Sequence, residues 1–351
     1  MQPESTSLGD LFCRRIPFKV PKYQRAFDWE QEEIDDFIKD LLVLYNARKI
    51  NPSQPRKHFF GGLVSIKQHI PNSYTGNLYD LVDGQQRLFI EISERRWPYR
   101  DATASDWQQE RLQRLIKVLR HTLCIPLLLS VYNCLSEKEF IEIINILERF
   151  AFRYITIVGG HAEKISTIYY DHAKLIRQAP QEYKIPTLRN ELKTVQEKYA
   201  SDEAFESLLI QKLSYQDNSS KKIIIRHFLT TLEDHIEWYS NGANGRPKPN
   251  EISIFDLSKV TIEHIYPQNA SSTSQIEELE LLKNDIGNLS FWPGRNNTSA
   301  GNRSFSEKKT LYEQSNVTLN RELAKFMDWD KQNFQQRRNK LLKIAKKIFT
   351  V

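Results

Sequence analysis

The sequence predicts a helix-rich protein of the α+β class, with a small α/β domain, a helical middle domain and a C-terminal segment of strands followed by helix. Three observations lead to this prediction. Apolar residues recur at helical spacing through the middle third, and short apolar runs bounded by turn residues lie towards both ends. The length of 351 residues also exceeds what one hydrophobic core usually holds. We expect domains at residues 1–100, 101–245 and 246–351.

Composition and charge narrow the class of protein. The chain is 40% hydrophobic and 27% charged, with 12 Gly and 14 Pro, which argues against extensive disorder. A net charge of +6 and a pI near 9.0 suit a polyanionic partner but also occur in proteins that have none. Positive charge is concentrated after Arg303. Each basic side chain there is as readily interpreted as part of a solvated helix face as it is as a phosphate contact.

Cysteine usage and hydropathy predict a cytoplasmic protein with no membrane partner. Cys13, Cys124 and Cys134 are odd in number and have no metal-ligand spacing, so the pattern indicates neither a disulfide framework nor a zinc site. The longest apolar run, residues 123–132, is interrupted by Pro126 and is too short to span a bilayer.

In the N-terminal part, Asp28 and Gln31 form a capping pair before apolar residues at helical spacing, which predicts a helix over 29–47. Residues 59–68 and 78–82 read as strands. The second strand runs into a turn whose backbone N–H groups, amides and guanidinium suit phosphate oxygens, although a helix-entry turn with a surface salt bridge is the plainer interpretation. The turn consists of Asp83, Gly84, Gln85, Gln86 and Arg87.

The middle and C-terminal parts alternate clear helices with short breaks. The periodicity predicts a mainly helical pattern from about residue 107 to 238, with helices such as 137–152, 162–178, 187–199 and 221–238. The Gly, Asn and Pro content of residues 239–249 marks a loop and the best internal boundary.

Further on, residues 261–266 are predicted to be extended, and residues 288–292 to be a strand or a turn. A helix is expected to begin near Ser304, and a last, basic helix carries one apolar face.

Glu263 and His264 are the candidate chemical pair. Cleavage of a phosphodiester needs a base for water and a cation to neutralise developing charge. A histidine with a pKa of about 6.5 can accept a proton at neutral pH, and a carboxylate with an amide oxygen can hold Mg²⁺ or Mn²⁺. A Glu-His pair alone is more often an ordinary pair on a strand.

The order of motifs around this pair adds a resemblance. TIEHIYPQ at 261–268, IGNL at 286–289, Asn297, and GNRSFSEK at 301–308 resemble the HNH subclass that ends GmrSD-type restriction proteins. Asn296 stands beside Asn297, so the assignment of the third position can shift by one residue.

That resemblance implies a ββα-metal finger and assigns roles. His264 would be the general base, and Asn288 the catalytic-site residue that ties the loop geometry. Glu263 and Asn297 would hold Mg²⁺ or Mn²⁺. Two further positions, Asn302 and Lys308, would contact or orient phosphate.

The N-terminal part carries a second resemblance. VPKYQRAFDW at 20–29, FFGGLV at 59–64 and LVDGQQRL at 81–88 resemble the ParB/sulfiredoxin-like domain that opens the same proteins. The resemblance implies binding and hydrolysis of GTP or another nucleoside triphosphate, with control of the nuclease. The residues implied are Tyr23, Gln24, Arg25 and the turn Asp83, Gly84, Gln85, Gln86 and Arg87.

The two resemblances cover roughly residues 12–90 and 120–345, and the join departs from the family pattern. Residues 89–97 do not continue as the expected Thr- and Leu-rich helix, and the chain is short, which indicates a shortened member. The implied function is metal-dependent cutting of foreign DNA, including modified phage DNA, in bacterial defence. Cutting both strands would take a homodimer or two visits. Two alternatives remain. One is a regulator with an inert nuclease centre, and the other is a folded remnant that neither binds nucleotide nor cuts DNA.

Overall fold

The computed structural model describes residues 18–19, 65–68, 78–81, 92, 97–99, 102–251, 255–270, 275–294 and 301–351. The chain divides into two compact units, Met1–Leu88 and Phe89–Val351. The predicted helix over 29–47 lies outside the described residues. The predicted nucleotide-binding residues also lie outside them: Tyr23, Gln24, Arg25, Asp83, Gly84, Gln85, Gln86 and Arg87.

In the first unit, the described residues form a three-stranded mixed sheet. The central strand, β3 (Leu78–Leu81), pairs in parallel with β1 (Phe18–Lys19) and antiparallel with β2 (Ser65–Gln68). Within the strands predicted over 59–68 and 78–82, the described residues, Ser65–Gln68 and Leu78–Leu81, are therefore extended.

The second unit begins with seven α-helices among its described residues, which confirms the helix-rich α+β class. Two π-helical turns, Arg114–Val118 and Ala151–Ile157, extend the first and third helices, and a 3₁₀ turn, Thr122–Cys124, precedes the second. The helices are α1 (Asp106–Gln113), α2 (Ile125–Cys134), α3 (Glu137–Phe150), α4 (Ala162–Gln178), α5 (Ile185–Tyr199), α6 (Asp202–Lys212) and α7 (Ser219–Ser240).

Local sequence explains where these helices begin. Ser136 and Glu139 form a reciprocal capping box at the start of α3, which satisfies backbone N–H groups that have no partner inside the helix. Pro126 lies in the first turn of α2, where its missing N–H costs nothing, so it starts a helix and does not break one. Helix α6 lies in the region predicted to be mainly helical, but its bounds were not predicted, because its buried apolar residues, Phe205 and Leu209, are too few to mark a stripe.

The apolar faces of these helices form a continuous core. Leu112, Leu127, Phe140 and Leu147 are fully buried, and burying each such side chain stabilises the fold by about 1.5–3 kcal/mol. Within the described part of the chain, no single helix is long and apolar enough to cross a membrane. Only the bent pair Asp106–Val118 and Thr122–Cys134, at 119° to each other, has that length and composition when taken together.

After α7 the chain forms a two-stranded antiparallel sheet and then returns to helix. In this sheet Glu263 lies opposite Ser290 and His264 opposite Leu289, which confirms the first predicted segment and shows the second to be a strand. Ser304 is the N-cap of the helix expected there. The elements are β4 (Val260–His264), α8 (Glu277–Glu280), a 3₁₀ turn (Ile286–Asn288), β5 (Leu289–Pro293), α9 (Phe305–Glu313), α10 (Thr318–Leu323) and α11 (Lys331–Ile348).

An aromatic cluster holds the hairpin to the three helices that follow it. Trp292 of β5 stacks on Tyr312 of α9 with ring centroids 5.8 Å apart, and Phe305 stacks on Trp329 at 5.6 Å. Phe334 of α11 is fully buried in the same cluster. These contacts determine how α9 lies against the β4–β5 hairpin.

The end of α11 returns to the helical core. Phe349 stacks on Phe152 with ring centroids 4.1 Å apart, and the Gln196 side-chain amide donates to the Phe349 carbonyl over 2.8 Å. The segments predicted as residues 101–245 and 246–351 therefore lie within one compact unit.

Gly287 is a point of close approach between the 3₁₀ turn and α11. A Cβ at this position would lie 2.7 Å from Phe334 Cε2 and 2.9 Å from Arg338 Cβ. We expect Gly287→Ala to lower the free energy of unfolding by about 1–3 kcal/mol, because the added methyl overpacks a buried contact. Urea unfolding monitored by circular dichroism measures this loss, and an unchanged midpoint would show that the turn and helix separate freely.

Candidate functional site

Glu263 and His264 are adjacent on β4, so their side chains leave the strand on opposite faces. Glu263 is 3% exposed and His264 is 9% exposed. The pair singled out from the sequence is thus buried on both sides of the hairpin, and each residue has its own surroundings.

On one side, Glu263 forms a buried ion pair with Lys308 of α9. The Lys308 Nζ atom lies 2.7 Å from Glu263 Oε1, and the Lys308 side chain is fully buried. Burial raises the pKa of Glu263, and the Lys308 ammonium opposes that shift, as do the polar groups of Tyr312 and Trp292. The carboxylate therefore has its counter-charge within the protein.

The Lys308 ammonium also connects to the neighbouring residue of the candidate pair. It donates a hydrogen bond to the His264 carbonyl oxygen over 2.6 Å. Sequence reasoning expected Lys308 to contact phosphate, but its charge points into the protein and its side chain is not exposed. Asn302, the other residue expected at phosphate, is exposed ahead of α9.

On the other side, the His264 imidazole packs against Tyr215, with ring centroids 4.6 Å apart and an interplanar angle of 83°. Its Nε2 atom is buried and has no hydrogen-bond partner among the described residues, and the same holds for Asn284 Oδ1. Burial lowers the pKa of His264 to about 4, although a polar contact with Asn284 acts in the opposite direction. The imidazole is therefore neutral at pH 7.

Asn288 holds the backbone that follows β4. Its Oδ1 accepts hydrogen bonds from the Tyr266 N–H (2.8 Å) and from the Trp329 indole (3.0 Å). Its Nδ2 donates to the carbonyl oxygens of Tyr266 and Lys283, both over 2.9 Å. Both polar atoms of this side-chain amide form two hydrogen bonds within the protein. In this geometry Asn288 therefore positions the loop and does not face a reactant.

The described residues do not by themselves fit a divalent ion. Among the ranges that the structure describes, no group of three or more His, Cys, Asp or Glu side chains is arranged to hold a metal. Glu263, the expected carboxylate ligand, is paired with Lys308. Asn297, the expected amide ligand, and its neighbour Asn296 lie outside the described residues.

Several residues that build the site were not predicted from the sequence. Tyr215 and Asn284 surround the imidazole, and the Tyr215 N–H donates to the Asn284 carbonyl over 2.8 Å. Asn320 of α10 donates to the Phe291 carbonyl over 2.9 Å and accepts from the Ser290 hydroxyl. No local pattern marks these positions, because their contacts join segments 29 to 69 residues apart.

Buried neutral histidines make stability dependent on pH. Burial lowers the pKa of four of them. The pKa is about 4 for His121 and His264, about 3 for His235, and well below the usual value of 6.5 for His227. The unfolded chain takes up these protons as pH falls through about 6.5 and the folded chain does not, so folding stability is lost between pH 6.5 and 4. Burial raises the pKa of Asp234 to about 6, so the folded chain takes up a proton there at a higher pH than the unfolded chain does. This proton uptake offsets the loss of stability that one of the histidines causes.

We therefore expect the free energy of unfolding to fall by about 2–4 kcal/mol between pH 6 and pH 5. Urea unfolding at pH 7, 6 and 5 measures this loss. His121→Gln should flatten the dependence by about 1.4 kcal/mol per pH unit, whereas His161→Gln, at an exposed position, should leave it unchanged. Equal stability at pH 7 and pH 5 would contradict the expected burial of neutral imidazoles.

The C-terminal part of the chain matches a known family. Residues 199–344 match the model for the C-terminal domain of GmrSD restriction endonucleases. This range is less than half of the chain, and it contains β4, β5, α9 and every described residue of the site. A search of curated proteins gave no significant match. The similarity supports a restriction endonuclease role for the C-terminal part, with DNA as the substrate.

Proposed function

We propose that the C-terminal part of this protein is an HNH-type DNA endonuclease in which His264 is the general base. The observation that carries the proposal is the His264 Nε2 atom, which is buried and forms no well-aligned hydrogen bond among the described residues, where Asn284 is a polar neighbour of the ring. Leaving a buried polar atom unpaired costs about 1–3 kcal/mol, and a proton donor such as a reacting water would remove that cost. The match over residues 199–344 supports this choice of reaction.

The proposed chemistry is hydrolysis of one phosphodiester bond. His264 Nε2 takes a proton from water, and the resulting hydroxide attacks phosphorus. The bond from phosphorus to the leaving deoxyribose oxygen breaks, and this oxygen keeps the electron pair and takes up a proton from solvent. The low pKa of His264 keeps the imidazole unprotonated across the neutral range, although it also makes it a weaker base. Packing against Tyr215 fixes the orientation of the ring.

Two other residues have positioning roles in this proposal. Asn288 holds the backbone after β4 through its four hydrogen bonds. Lys308 connects α9 to β4 by binding Glu263 and the His264 carbonyl oxygen. The order of two antiparallel strands followed by a helix supports the ββα-type finger expected from the sequence.

Dependence on Mg²⁺ or Mn²⁺ is a separate part of the proposal. In this part of the proposal, Glu263 and Asn297 would hold the ion, and the Glu263 carboxylate would exchange its ion pair with Lys308 for the metal.

We also propose that GTP or another nucleoside triphosphate, bound at the N-terminal turn, gates cutting of modified phage DNA. A homodimer would allow both strands to be cut in one encounter.

The test is nicking of supercoiled plasmid by the full chain. Reactions contain Mg²⁺, Mn²⁺ or EDTA, with and without GTP, on unmodified plasmid and on plasmid with modified bases. Nicking with a metal and none in EDTA supports the metal-dependent nuclease, and a change on adding GTP supports gating. Nicking that persists in EDTA would contradict the metal dependence, and no nicking on any substrate would contradict the nuclease.

The second candidate function is a DNA-binding or nucleotide-sensing regulator with an inert centre. One observation favours it: Lys308 already neutralises Glu263, the expected metal ligand, inside the protein. DNA binding without nicking under every metal condition would support this alternative.

A further inference from the structure

A basic groove lies in the second compact unit, where the ends of α7 and α11 meet α3 and α5. Its volume is about 720 Å³. Seven of its lining side chains are basic: Arg149, Arg189, Lys193, Arg246, Lys343, Lys346 and Lys347. The residues come from four separate parts of the fold, so the concentration of positive charge is produced by the tertiary structure and not by one run of sequence.

Carboxylates neutralise only part of this charge. Glu142 is shared, because Arg189 and Arg246 both contact its Oε1 atom, at 2.8 and 2.9 Å. Lys346 is paired with Glu206 at 2.7 Å, and Lys193 with Glu197 at 3.8 Å. The groove is also lined by Asp202, which is paired with Arg153 at 2.8 Å.

Three cations of the groove are left over. Among the described residues, no carboxylate forms an ion pair with Arg149, Lys343 or Lys347. The Nε atom of Arg149 donates to the Asn145 carbonyl, and Glu148 and Glu142 act on this guanidinium through space without forming a direct ion pair with it. The groove therefore has an excess of positive charge.

Helix capping explains only a small share of this pattern. Lys346 and Lys347 lie in the last turn of α11, where a cation balances the negative end of the helix dipole. That dipole end amounts to about half a charge. It does not account for Arg149 of α3 or Arg189 of α5, which line the same groove from other helices.

Two aromatic side chains of α7, Trp238 and Tyr239, also line the groove and are half-buried. The Trp238 indole N–H donates to the Asn244 carbonyl over 3.1 Å, which orients its ring. Basic side chains beside aromatic rings are typical of grooves that follow a nucleic-acid backbone, where the cations pair with phosphates.

Helix α11 relates the groove to the candidate site. Arg337 of this helix donates to the Gly287 carbonyl, in the turn that contains Asn288. Lys343 and Lys347 follow six and ten residues later, about 9 and 15 Å along the helix axis.

We propose that this groove binds the phosphodiester backbone of a DNA strand beside the point of cutting, as a second contact separate from the candidate nuclease centre. The proposal rests on the proposed function for the identity of the ligand. Binding and cutting are measured separately, so that failure of one is distinguishable from failure of the other.

The test is fluorescence anisotropy of a labelled 25-base-pair duplex titrated with the full chain in EDTA, over a series of salt concentrations. Lys343→Gln combined with Lys347→Gln should weaken binding about tenfold and reduce the slope of log K against log salt by about 2, since each phosphate contact contributes about 0.9. Both side chains are exposed, so the variant should fold as the wild type does.

The matched control is Lys138→Gln combined with Lys174→Gln, which removes the same charge from exposed positions outside the groove. Wild-type binding by the control and weakened binding by the groove variant support the proposal. Equal losses of DNA affinity in both variants would mean that only the net charge of the protein matters, and this result would overturn the proposal. Loss of GTP binding with unchanged DNA affinity in the groove variant would also overturn it, by identifying a nucleotide site.

Discussion

Replacing His264 with alanine is expected to lower the rate of plasmid nicking by about 10²–10⁴-fold, the usual contribution of a positioned general base. The imidazole is buried, so part of any loss could come from altered packing against Tyr215. His264→Gln keeps most of the side-chain volume and should show the same loss. Thermal unfolding and DNA binding in EDTA should show that both variants are folded.

The pH profile of the wild type adds a second readout on His264. Because burial lowers its pKa to about 4, the nicking rate should change less than about twofold between pH 8 and pH 5.5. A histidine with the usual pKa of about 6.5 would lose about tenfold at pH 5.5. His161→Ala, at an exposed position, is the control and should cut like the wild type. Undiminished nicking by both His264 variants would remove this residue from the mechanism.

Breaking the ion pair between Glu263 and Lys308 is expected to have the largest effect on stability. Lys308→Met leaves a buried carboxylate without its cation, and Glu263→Gln leaves a buried ammonium without its anion. Each single change should lower the free energy of unfolding by about 3–5 kcal/mol. The double variant should recover much of that loss, because it removes both buried charges together.

An exposed ion pair provides the matched control for this cycle. Lys331 Nζ lies 3.1 Å from Glu278 Oε1, and both side chains are about half exposed. Lys331→Met should cost at most about 1 kcal/mol, because solvent screens the pair. If Lys308→Met is as mild as Lys331→Met in urea unfolding, Lys308 is not the buried partner that the structure shows.

Much of the helical part could be predicted because amphipathic periodicity is a local property. The helix predicted over 162–178 has those bounds, and the one predicted over 221–238 extends by two residues at each end. Helix α2 lies within the region predicted to be mainly helical, although its bounds were not predicted. The predicted loop over 239–249 is confirmed from residue 241 onwards.

The candidate site was predictable only in part. The strand that carries Glu263 and His264 follows from local pattern, and the order of motifs predicted the family that residues 199–344 match. The burial of Lys308 could not be predicted, because a lysine is usually exposed and its partner lies 45 residues earlier. The roles of Asn297, Asn302 and the N-terminal residues stay predictions.

The sequence by itself determined the helix-rich class, the position of most helices and the strand that presents His264, because spacing and capping act over a few residues. Only the tertiary structure decided the protonation state and surroundings of that histidine, since burial and the approach of Tyr215 depend on segments brought together by packing. The same is true of the basic groove, whose cations are far apart in the sequence. Electrostatic interactions act through space, so they follow from the fold and not from the order of residues.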